Sequence, residues 1–279
     1  MKLTIGILFH NESNHEINRL FRSLIRQIDK NFSLIIIAEP RLGDIEIYKA
    51  FSRFKNLRFI SNSFIQGTVN NRNRIFRECK TEYLVFVDGD DFVDRNFVKQ
   101  INDSLFEKAD LFYFNYLIKT KQSKQFIELS KKNIIHETLQ DWKILGCSVY
   151  KVELIRSLNG YNQNGFEDVD LILRMISSGN DRFIFVPGTI YFWLKKDSGR
   201  NTQSTLLDTA NLMFRNIEVY KKYNSKTQFR DKYFFVLLTF LRNKRFKDFI
   251  VLLIKAKLYF PLLSFVIKKV RVNRKNINV

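Results

Sequence analysis

Short apolar runs alternate with amphipathic segments over the first part of the chain. The runs are rich in β-branched and aromatic residues, the pattern of strands that are buried on both faces of a sheet. In the segments between them, apolar residues recur every three or four positions, which is typical of helices. This alternation predicts an α/β fold with a mixed, mainly parallel sheet and helices on both faces. The predicted strands are residues 2–9, 32–38, 57–60, 83–87 and 109–117, and the predicted helices are residues 45–54, 69–79 and 96–106, with one more after Ser13.

The second half of the chain has a less regular pattern. Residues 119–132 are polar, which predicts an exposed loop or an edge hairpin. From residue 206 onward the pattern is only helical, so we predict a main α/β domain over residues 1–205 and a helical extension over residues 206–279. Between these regions the pattern predicts a helix start at residues 139–144, a helix at 148–158, a helix that opens at 166–170, and short strands at 182–186 and 190–194.

The fourth predicted strand ends in Asp-Gly-Asp-Asp at residues 88–91. Three carboxylates in four residues are costly unless positive charge neutralises them. A hard cation such as Mg²⁺ or Mn²⁺ that itself holds a diphosphate would do so, and Gly89 would let the backbone turn tightly. The sequence therefore predicts a divalent-cation site, the alternative being a solvated turn that caps the following helix.

Right-handed crossovers would place the loops after the first, second and fourth strands at one edge of the sheet. Open α/β sheets bind ligands beyond the carboxyl ends of their strands. We therefore expect residues 10–12, Glu39 and residues 88–91 to converge on one site, although they lie far apart in sequence.

The net charge of +19 is concentrated at the C-terminus. Residues 221–279 contain sixteen Lys and Arg and two Asp, a net charge of +14. These basic residues separate three apolar runs that are each too short to span a bilayer. The pattern predicts helices that lie in an acidic membrane interface, and the alternative is a helical bundle packed on the main domain with a basic outer face.

The two cysteines and three histidines predict no disulfide framework and no zinc site. Cys79 and Cys147 lack metal-ligand spacing, and the histidines are scattered. The first apolar run is too short for a signal peptide. We therefore expect a reduced, cytoplasmic setting, with peripheral attachment at the inner face of the cell membrane if the basic extension binds lipid.

Five features together resemble the inverting family-two glycosyltransferases, which have the GT-A fold. They occur in the family's order over residues 3–202. The features are His-Asn-Glu at residues 10–12, Glu39 after the second strand, Gly67 before Asn-Arg-Asn at residues 71–73, Asp-Gly-Asp-Asp at residues 88–91, and Glu167-Asp168 with Asp170 and Arg174.

The resemblance implies a metal-dependent transfer of a sugar from a nucleotide-sugar donor, most often a UDP-sugar, with residues 1–205 as the catalytic domain. The acceptor it implies is a hydroxyl of a glycan, lipid-linked or protein-linked acceptor in bacterial-type surface polysaccharide or glycoprotein biosynthesis. The implied donor-binding residues are Phe9, Asn11, Glu12, Glu39, Gly67, Arg72, Asp88, Gly89 and Asp90.

The resemblance also implies individual roles at the reacting groups. Asp90 would bind Mn²⁺ or Mg²⁺ directly, with Asp88 at the ribose or a metal-bound water, and Asp91 would support these ligands or cap a helix. Asp168 would be the general base that direct displacement at an anomeric carbon requires. Glu167 would contact the acceptor. Trp142 could form a wall of the acceptor pocket for a separate reason, because aromatic side chains often pack against the faces of sugars.

Each of these roles has a plainer alternative. Glu12 would suit the first turn of a helix, and Asp168 a helix N-terminus, because acidic side chains are favourable there. Arg72 could be a surface arginine and Trp142 a core residue. Glu39 stands where the family usually has Asp.

One family feature is missing. Some members have a metal-binding His near the end of the catalytic domain, whereas residues 191–197 contain none. Lys195, Lys196 or Arg200 could contact the diphosphate instead, or these residues could form a solvated loop.

Three other functions are compatible with parts of the sequence. A sugar-phosphate nucleotidylyltransferase shares a similar sheet, but it has a Gly-rich basic loop after the first strand, and residues 10–14 contain no Gly, Arg or Lys. A nucleic-acid-binding protein would explain the basic extension, but no nucleic-acid motif is present and the acidic clusters would repel phosphates, so no nucleic acid is expected. A transferase-like scaffold without activity has the same sequence pattern.

Overall fold

The structure, a computed structural model, describes residues 1–40, 44–144, 146–162, 166–195 and 206–223, together with Tyr233, Val251 and Ile254. Its strands are β1 (Leu3–Phe9), β2 (Ser33–Ala38), β3 (Leu57–Ser61), β4 (Tyr83–Asp88), β5 (Phe92–Val93), β6 (Leu111–Lys119), β7 (Lys124–Ile127), β8 (Val149–Lys151) and β9 (Phe183–Leu194). Its helices are α1 (Asn14–Ile25), α2 (Asp44–Phe51), α3 (Thr68–Glu78), α4 (Phe97–Ser104), α5 (Ile134–Asp141), α6 (Val152–Ser157), α7 (Glu167–Ser177), α8 (Leu206–Arg215) and α9 (Ile217–Lys222).

The described strands form one mixed sheet in the order β3-β2-β1-β4-β8-β6-β9-β5, with β7 paired to β6. The strands β3, β2, β1 and β4 are parallel to one another, and β8 is antiparallel to both β4 and β6. Every residue of β1 is buried, because helices cover both faces of the central strands. The predicted α/β fold is therefore confirmed.

The first helix begins as predicted. Ser13 is the N-cap of α1, its hydroxyl accepts a hydrogen bond from the backbone N–H of Glu16, and the Glu16 side chain returns to the cap backbone. This reciprocal capping satisfies two of the free N–H groups at the helix start. Ile17, Leu20 and Leu24 then bury one stripe of α1 against the sheet.

The predicted helix at residues 148–158 is wrong in its first part. Residues Val149–Lys151 form β8, and only Val152–Ser157 are helical as α6. The β8 backbone bonds to β4 on one side and to β6 on the other. Pairing with two neighbouring strands thus overrides the local helical pattern, as is common for β-branched and aromatic residues such as Val149 and Tyr150.

Two other boundaries differ from the prediction. The helix expected to start at residues 139–144 is instead α5 and ends there, because Trp142 adopts a left-handed conformation with φ of 52°. The two strands predicted around residues 187–188 are one strand, β9, whose register against β6 shifts between Tyr113 and Asn115. Pro187 and Gly188 lie at this irregularity, where such residues are tolerated in a strand. The hairpin alternative for residues 119–132 is confirmed, because β7 pairs with β6.

The start of the C-terminal extension packs on the main domain. Leu212, Met213 and Ile217 are buried, and α9 contacts α7. None of the helices in the described part of the chain has the length and apolar character that a transmembrane span requires. The basic apolar runs at residues 233–241, 249–254 and 258–267 lie almost wholly outside the described residues.

Candidate active site

The loops after β1, β2 and β4 converge at one edge of the sheet, as predicted. The backbone N–H of His10 donates to Glu12 Oε2 at 2.6 Å, and His10 Nδ1 lies 3.9 Å from Glu39 Oε1. A Cβ at Gly89 would lie 2.7 Å from the carbonyl oxygen of Leu8 and 3.0 Å from Cδ of Glu12. Gly89 is therefore required by the close approach of the β1 and β4 loops, and it does not have a positive φ.

Two predicted donor-binding residues beside Glu12 have very different exposure. Phe9 is fully buried and its ring packs 5.9 Å from that of Phe51, so its side chain belongs to the core. The carbonyl oxygen of Phe9 accepts from the backbone N–H of Glu39 at 2.8 Å. Asn11 is exposed at the same edge.

The carboxylate of Glu39 accepts hydrogen bonds from four donor groups of the chain itself. It accepts from the backbone N–H of Gly67 at 2.7 Å and of Gln66 at 3.0 Å, from Asn71 Nδ2 at 2.7 Å and from Asn62 Nδ2 at 3.2 Å. Burial would raise the pKa of Glu39, but these hydrogen bonds outweigh it, and the pKa lies below its usual value. Glu39 thus fixes the turn at Gly67, whose φ is 81°, at the start of α3.

Three consecutive residues of α3 each stabilise a different part of the site. Asn71 binds Glu39, and Arg72 binds Asp88. Asn73 donates through Nδ2 to the carbonyl of Tyr161 at 2.9 Å and accepts from its backbone N–H at 2.7 Å. A helix turns by about 100° per residue, so neighbouring side chains reach separate segments. The Asn-Arg-Asn motif therefore connects the ends of β2 and β4 with the loop before α7.

Arg72 is buried, so the alternative of a surface arginine is wrong. Only 6% of the residue is exposed, and Nη2 donates to Asp88 Oδ1 at 3.1 Å while Nη1 lies 3.7 Å from Glu167 Oε1. Its guanidinium lies between the rings of Phe86 and Tyr161, 5.4 and 5.5 Å from their centres. Burial would lower the pKa of Arg72, but Asp88 and other nearby groups raise it well above its usual value, so the cation is permanent.

The three aspartates of the acidic turn lie in different environments. The side chain of Asp88 is 39% exposed, and Asp90 is partly exposed. Asp91 is buried and accepts from the hydroxyl of Tyr191 and the backbone N–H of Leu194, both at 2.7 Å. Burial and the charge of Asp88 raise the pKa of Asp91 well above its usual value. Asp91 thus joins the turn to β9 and caps no helix.

A cavity of about 220 Å³ opens beside Asp88 and brings together residues from four elements. Asp168, in the first turn of α7, accepts from the backbone N–H of Val169 at 2.9 Å. A Cβ at Gly146 would lie only 2.7 Å from Asp168 Oδ2, so this glycine leaves room for the carboxylate. The lining residues are Arg72, Asp88, Asp91, Gly146, Cys147, Phe166, Glu167, Asp168, Tyr191 and Trp193.

Trp142 contacts a residue that lines this cavity. Its ring packs 5.1 Å from that of Phe166, which lines the cavity, and its indole Nε1–H donates to the hydroxyl of Tyr220 in α9 at 3.5 Å. Trp142 is partly buried and packs against the core. Its predicted contact with the acceptor stays a prediction.

The residues at the turn fit a divalent cation whose coordination shell is completed by oxygen atoms of a bound substrate. In the described residues, no group of three or more His, Cys, Asp or Glu side chains is arranged as a metal site. Asp88 and Asp90 offer carboxylate oxygens, and cations such as Mg²⁺ are commonly held by one or two carboxylates plus phosphate oxygens of the substrate. Asp88 Oδ2 accepts from the thiol of Cys147, whose Sγ lies 3.7 Å away.

Of the basic residues predicted near a diphosphate, only Lys195 is described. It is exposed, and its backbone N–H donates to the carbonyl of Lys119 at 3.0 Å. Lys196 and Arg200 lie outside the described residues.

Several residues of the site are not among those predicted from the sequence. Asn62 follows the carboxyl end of β3, as Glu39 follows that of β2, so its position at a strand end is a signal that could identify it. Cys147 and Tyr191 have the appearance of core residues, and Tyr161 lies in a loop with no motif. Arg174 is tied to Asp170 at 2.8 Å and donates to the carbonyls of Leu158 and Gly160, so it holds the loop that carries Tyr161.

Comparison with protein families gives a clear result. The family described as Glycosyl transferase family 2 matches residues 4–151, more than half of the chain. A search of curated proteins gives no match.

Several solved structures have the same fold. S. aureus TarS 1-349 in complex with UDP-GlcNAc is 17% identical, with a TM-score of 0.63 over 78% of this chain and 66% of that one. The mannosyltransferase PcManGT from Pyrobaculum calidifontis, in complex with GDP-Man and Mn²⁺, is 12% identical, with a TM-score of 0.64 over 97% and 80%. GalNAc-T7 with UDP, GalNAc and Mn²⁺ is 13% identical, with a TM-score of 0.57 over 76% and 47%. The chain thus spans slightly less than two thirds of TarS 1-349 and about half of GalNAc-T7, and these likenesses show the GT-A fold.

Proposed function

Because the chain belongs to glycosyl transferase family 2, we propose that it transfers a sugar from a nucleotide-sugar donor to a hydroxyl group of an acceptor, with inversion at the anomeric carbon. The observation that carries the proposal is the single cavity lined by Arg72, Asp88, Glu167 and Asp168. The carboxylates of Asp88 and Glu167, the permanent cation of Arg72 and the candidate base, the carboxylate of Asp168, all line this small space. A nucleotidylyltransferase is disfavoured by the family match.

The nucleotide would bind over the loops after β1, β2 and β3. Glu12 and Asn11 lie at this edge, and Glu39 holds the backbone of Gln66 and Gly67 in place. Since the Glu39 carboxylate already accepts from four groups of the chain, its role in donor binding is to fix the shape of the pocket. UDP is the preferred nucleotide, consistent with UDP in the TarS and GalNAc-T7 complexes.

Asp88 and Asp90 would hold Mn²⁺ or Mg²⁺ together with the diphosphate of the donor. When bound, such a cation neutralises the charge that develops on the leaving diphosphate. Arg72 fixes the orientation of Asp88 through its 3.1 Å contact and supplies a second positive charge beside the cavity. Mn²⁺ in the PcManGT and GalNAc-T7 structures supports this assignment.

Asp168 would remove the proton from the attacking hydroxyl. Its position is set by the first turn of α7 and by Gly146, which lies against it. Glu167, beside Arg72, would contact the acceptor, and Trp142 would support the acceptor side of the cavity through Phe166. A general base of this kind contributes about 10²–10⁴-fold to the rate.

The acceptor would be a glycan, lipid-linked or protein-linked, in surface polysaccharide or glycoprotein biosynthesis. We propose residues 1–205 as the catalytic domain and residues 206–279 as an extension whose first part packs on that domain. The basic remainder would attach the enzyme to an acidic membrane at the cytoplasmic face, because each Lys or Arg near such a surface contributes about 1 kcal/mol.

Donor hydrolysis or transfer with Mn²⁺ tests these roles. UDP-sugars and GDP-sugars are supplied to the wild type, to Asp90→Ala and to Asp168→Ala, with Asp103→Ala as control. Asp103 is exposed on α4 and pairs only with Lys99 among the described residues, outside the site. We expect a loss of about 10²-fold or more in the two site variants and none in the control. Full activity of both site variants would rule out the assigned roles.

A further inference from the structure

A basic groove lies beside the proposed donor site, between α1 and the strands β5 and β9. Its volume is about 890 Å³, within the range of about 300–1,000 Å³ typical of ligand sites. Arg19 and Arg22 line it from α1, Arg26 from the C-cap of that helix, and Arg95 from the segment between β5 and α4. Helix residues three or four positions apart lie on the same face, and the cap keeps a helical backbone, so these first three arginines form a row.

Little negative charge opposes these arginines. Asp94 also lines the groove, but its carboxylate accepts from the backbone N–H groups of Asn96 and Ile190 and from the hydroxyl of Thr189. Arg22, Arg26 and Arg95 are exposed, and no carboxylate of the described residues lies within 4.0 Å of their guanidinium nitrogens. The groove therefore presents positive charge to an external anion.

Arg19 connects the groove to the acidic turn. Its Nη2 donates to the carbonyl oxygen of Asp90 at 2.6 Å, and its guanidinium lies 5.7 Å from the ring centre of Phe92. Phe92 stacks on Phe192 with ring centres 4.4 Å apart and planes 5° apart. One part of the groove is thus fixed directly to the turn that carries the proposed cation ligands.

We propose that this groove binds an anionic acceptor, a glycan chain that carries phosphate groups along its length. Guanidinium groups pair with phosphate oxygens through two parallel hydrogen bonds. From Arg19 to Arg26 the helix rises by about 10 Å, so the row can contact successive anionic groups of one chain. A concave groove admits a chain, whereas a flat bilayer would contact only its rim. The inference rests on the proposed function, since it names the acceptor class for the same site.

Binding of linear inorganic polyphosphate to the full chain tests the groove. Arg22→Glu combined with Arg26→Glu reverses two charges in it. The control, Arg53→Glu combined with Lys55→Glu, makes the same change in net charge on the exposed segment after α2. We expect the groove variant to bind polyphosphate at least about tenfold more weakly than the wild type, and the control to bind within about twofold of it. In a plot of log K against log salt concentration, the slope for the groove variant should be shallower by roughly 0.7 for each phosphate contact that is lost.

Three results would overturn the proposal: no weakening in the groove variant, equal weakening in both variants, or failure of the wild type to bind polyphosphate. Vesicles of phosphatidylglycerol separate the two sources of phosphate. If the groove variant loses vesicle binding but keeps polyphosphate binding, the groove recognises lipid and the proposal is wrong. Donor hydrolysis by the wild type is measured separately. Its absence contradicts the proposed function, whereas selective loss of polyphosphate binding supports the groove by itself.

Discussion

Gly146→Ala places one methyl group against the proposed general base. The added Cβ would lie 2.7 Å from both Cβ and Oδ2 of Asp168. Ordinary van der Waals contact begins near 3.4 Å, so the carboxylate or the Gly146 loop must move by about 0.7 Å. The substitution leaves every functional group of the site in the protein and changes only their relative position.

The displacement predicts a specific kinetic change. A misplacement of about 1 Å at a reacting group can cost about 10²-fold in rate, so we expect kcat to fall about 10–100-fold. In the proposed arrangement the donor contacts Asp88 and Asp90 and not Gly146, so KM for the donor should change by less than about threefold. The clash itself should lower the free energy of unfolding by about 1–3 kcal/mol.

Gly179→Ala is the matched control, because it separates lost stability from a displaced base. Gly179 has a φ of 84° and no atoms within 4 Å of an added Cβ. Alanine there should cost about 1–2 kcal/mol through the left-handed backbone, without touching the cavity. The assay is steady-state transfer or donor hydrolysis at a temperature where both variants are folded by circular dichroism. Wild-type kcat in Gly146→Ala, or an equal loss in both variants, would refute the role given to Asp168.

Three further predictions concern the donor side. Arg72→Met should lower the free energy of unfolding by about 1–3 kcal/mol, which denaturant titration measures. The loss is smaller than for a wholly buried ion pair, because the Asp88 side chain is 39% exposed. The same variant should bind the donor more weakly, which calorimetry measures. Glu39→Gln should destabilise the protein at neutral pH, since the pKa of Glu39 is lowered on folding. That stability is present above the unfolded pKa and is lost as pH falls through the folded pKa. The free energies of unfolding of the wild type and the variant should therefore become equal in acid. A difference between them that stays constant with pH would contradict the role of Glu39. Removal of divalent cations with EDTA should abolish donor hydrolysis, and Mn²⁺ should restore it; undiminished hydrolysis in EDTA would contradict the metal role.

The parallel half of the fold could be predicted because each strand carries its own signal. The strands β1, β2 and β4 are continuous apolar runs, and Ser13 with Glu16 marks the start of α1. The strand β8 could not be predicted, because its three residues are fixed by pairing with β4 and β6. The pattern of a short segment contains no information about which neighbours it will meet.

The candidate site likewise has features that could be predicted from the sequence and features that could not. The convergence of Glu12, Glu39 and the acidic turn could be predicted from the sequence, because topology alone decides where those loops meet. The four hydrogen bonds that Glu39 accepts from its own chain could not be predicted, nor could the contact of Arg72 with the ring of Tyr161. Such contacts depend on side-chain packing between segments that are distant in sequence.

Thermal unfolding with a UDP-sugar, with and without Mn²⁺, tests the central claim most directly, using the wild type and a variant with Asp88→Asn and Asp90→Asn. A ligand at about 100 times its Kd stabilises the folded state by about 2.7 kcal/mol. The account predicts that the sugar nucleotide raises the Tm of the wild type by several degrees only when Mn²⁺ is present, and that the variant shows no such shift. An equal rise in Tm for the wild type and the variant would contradict it.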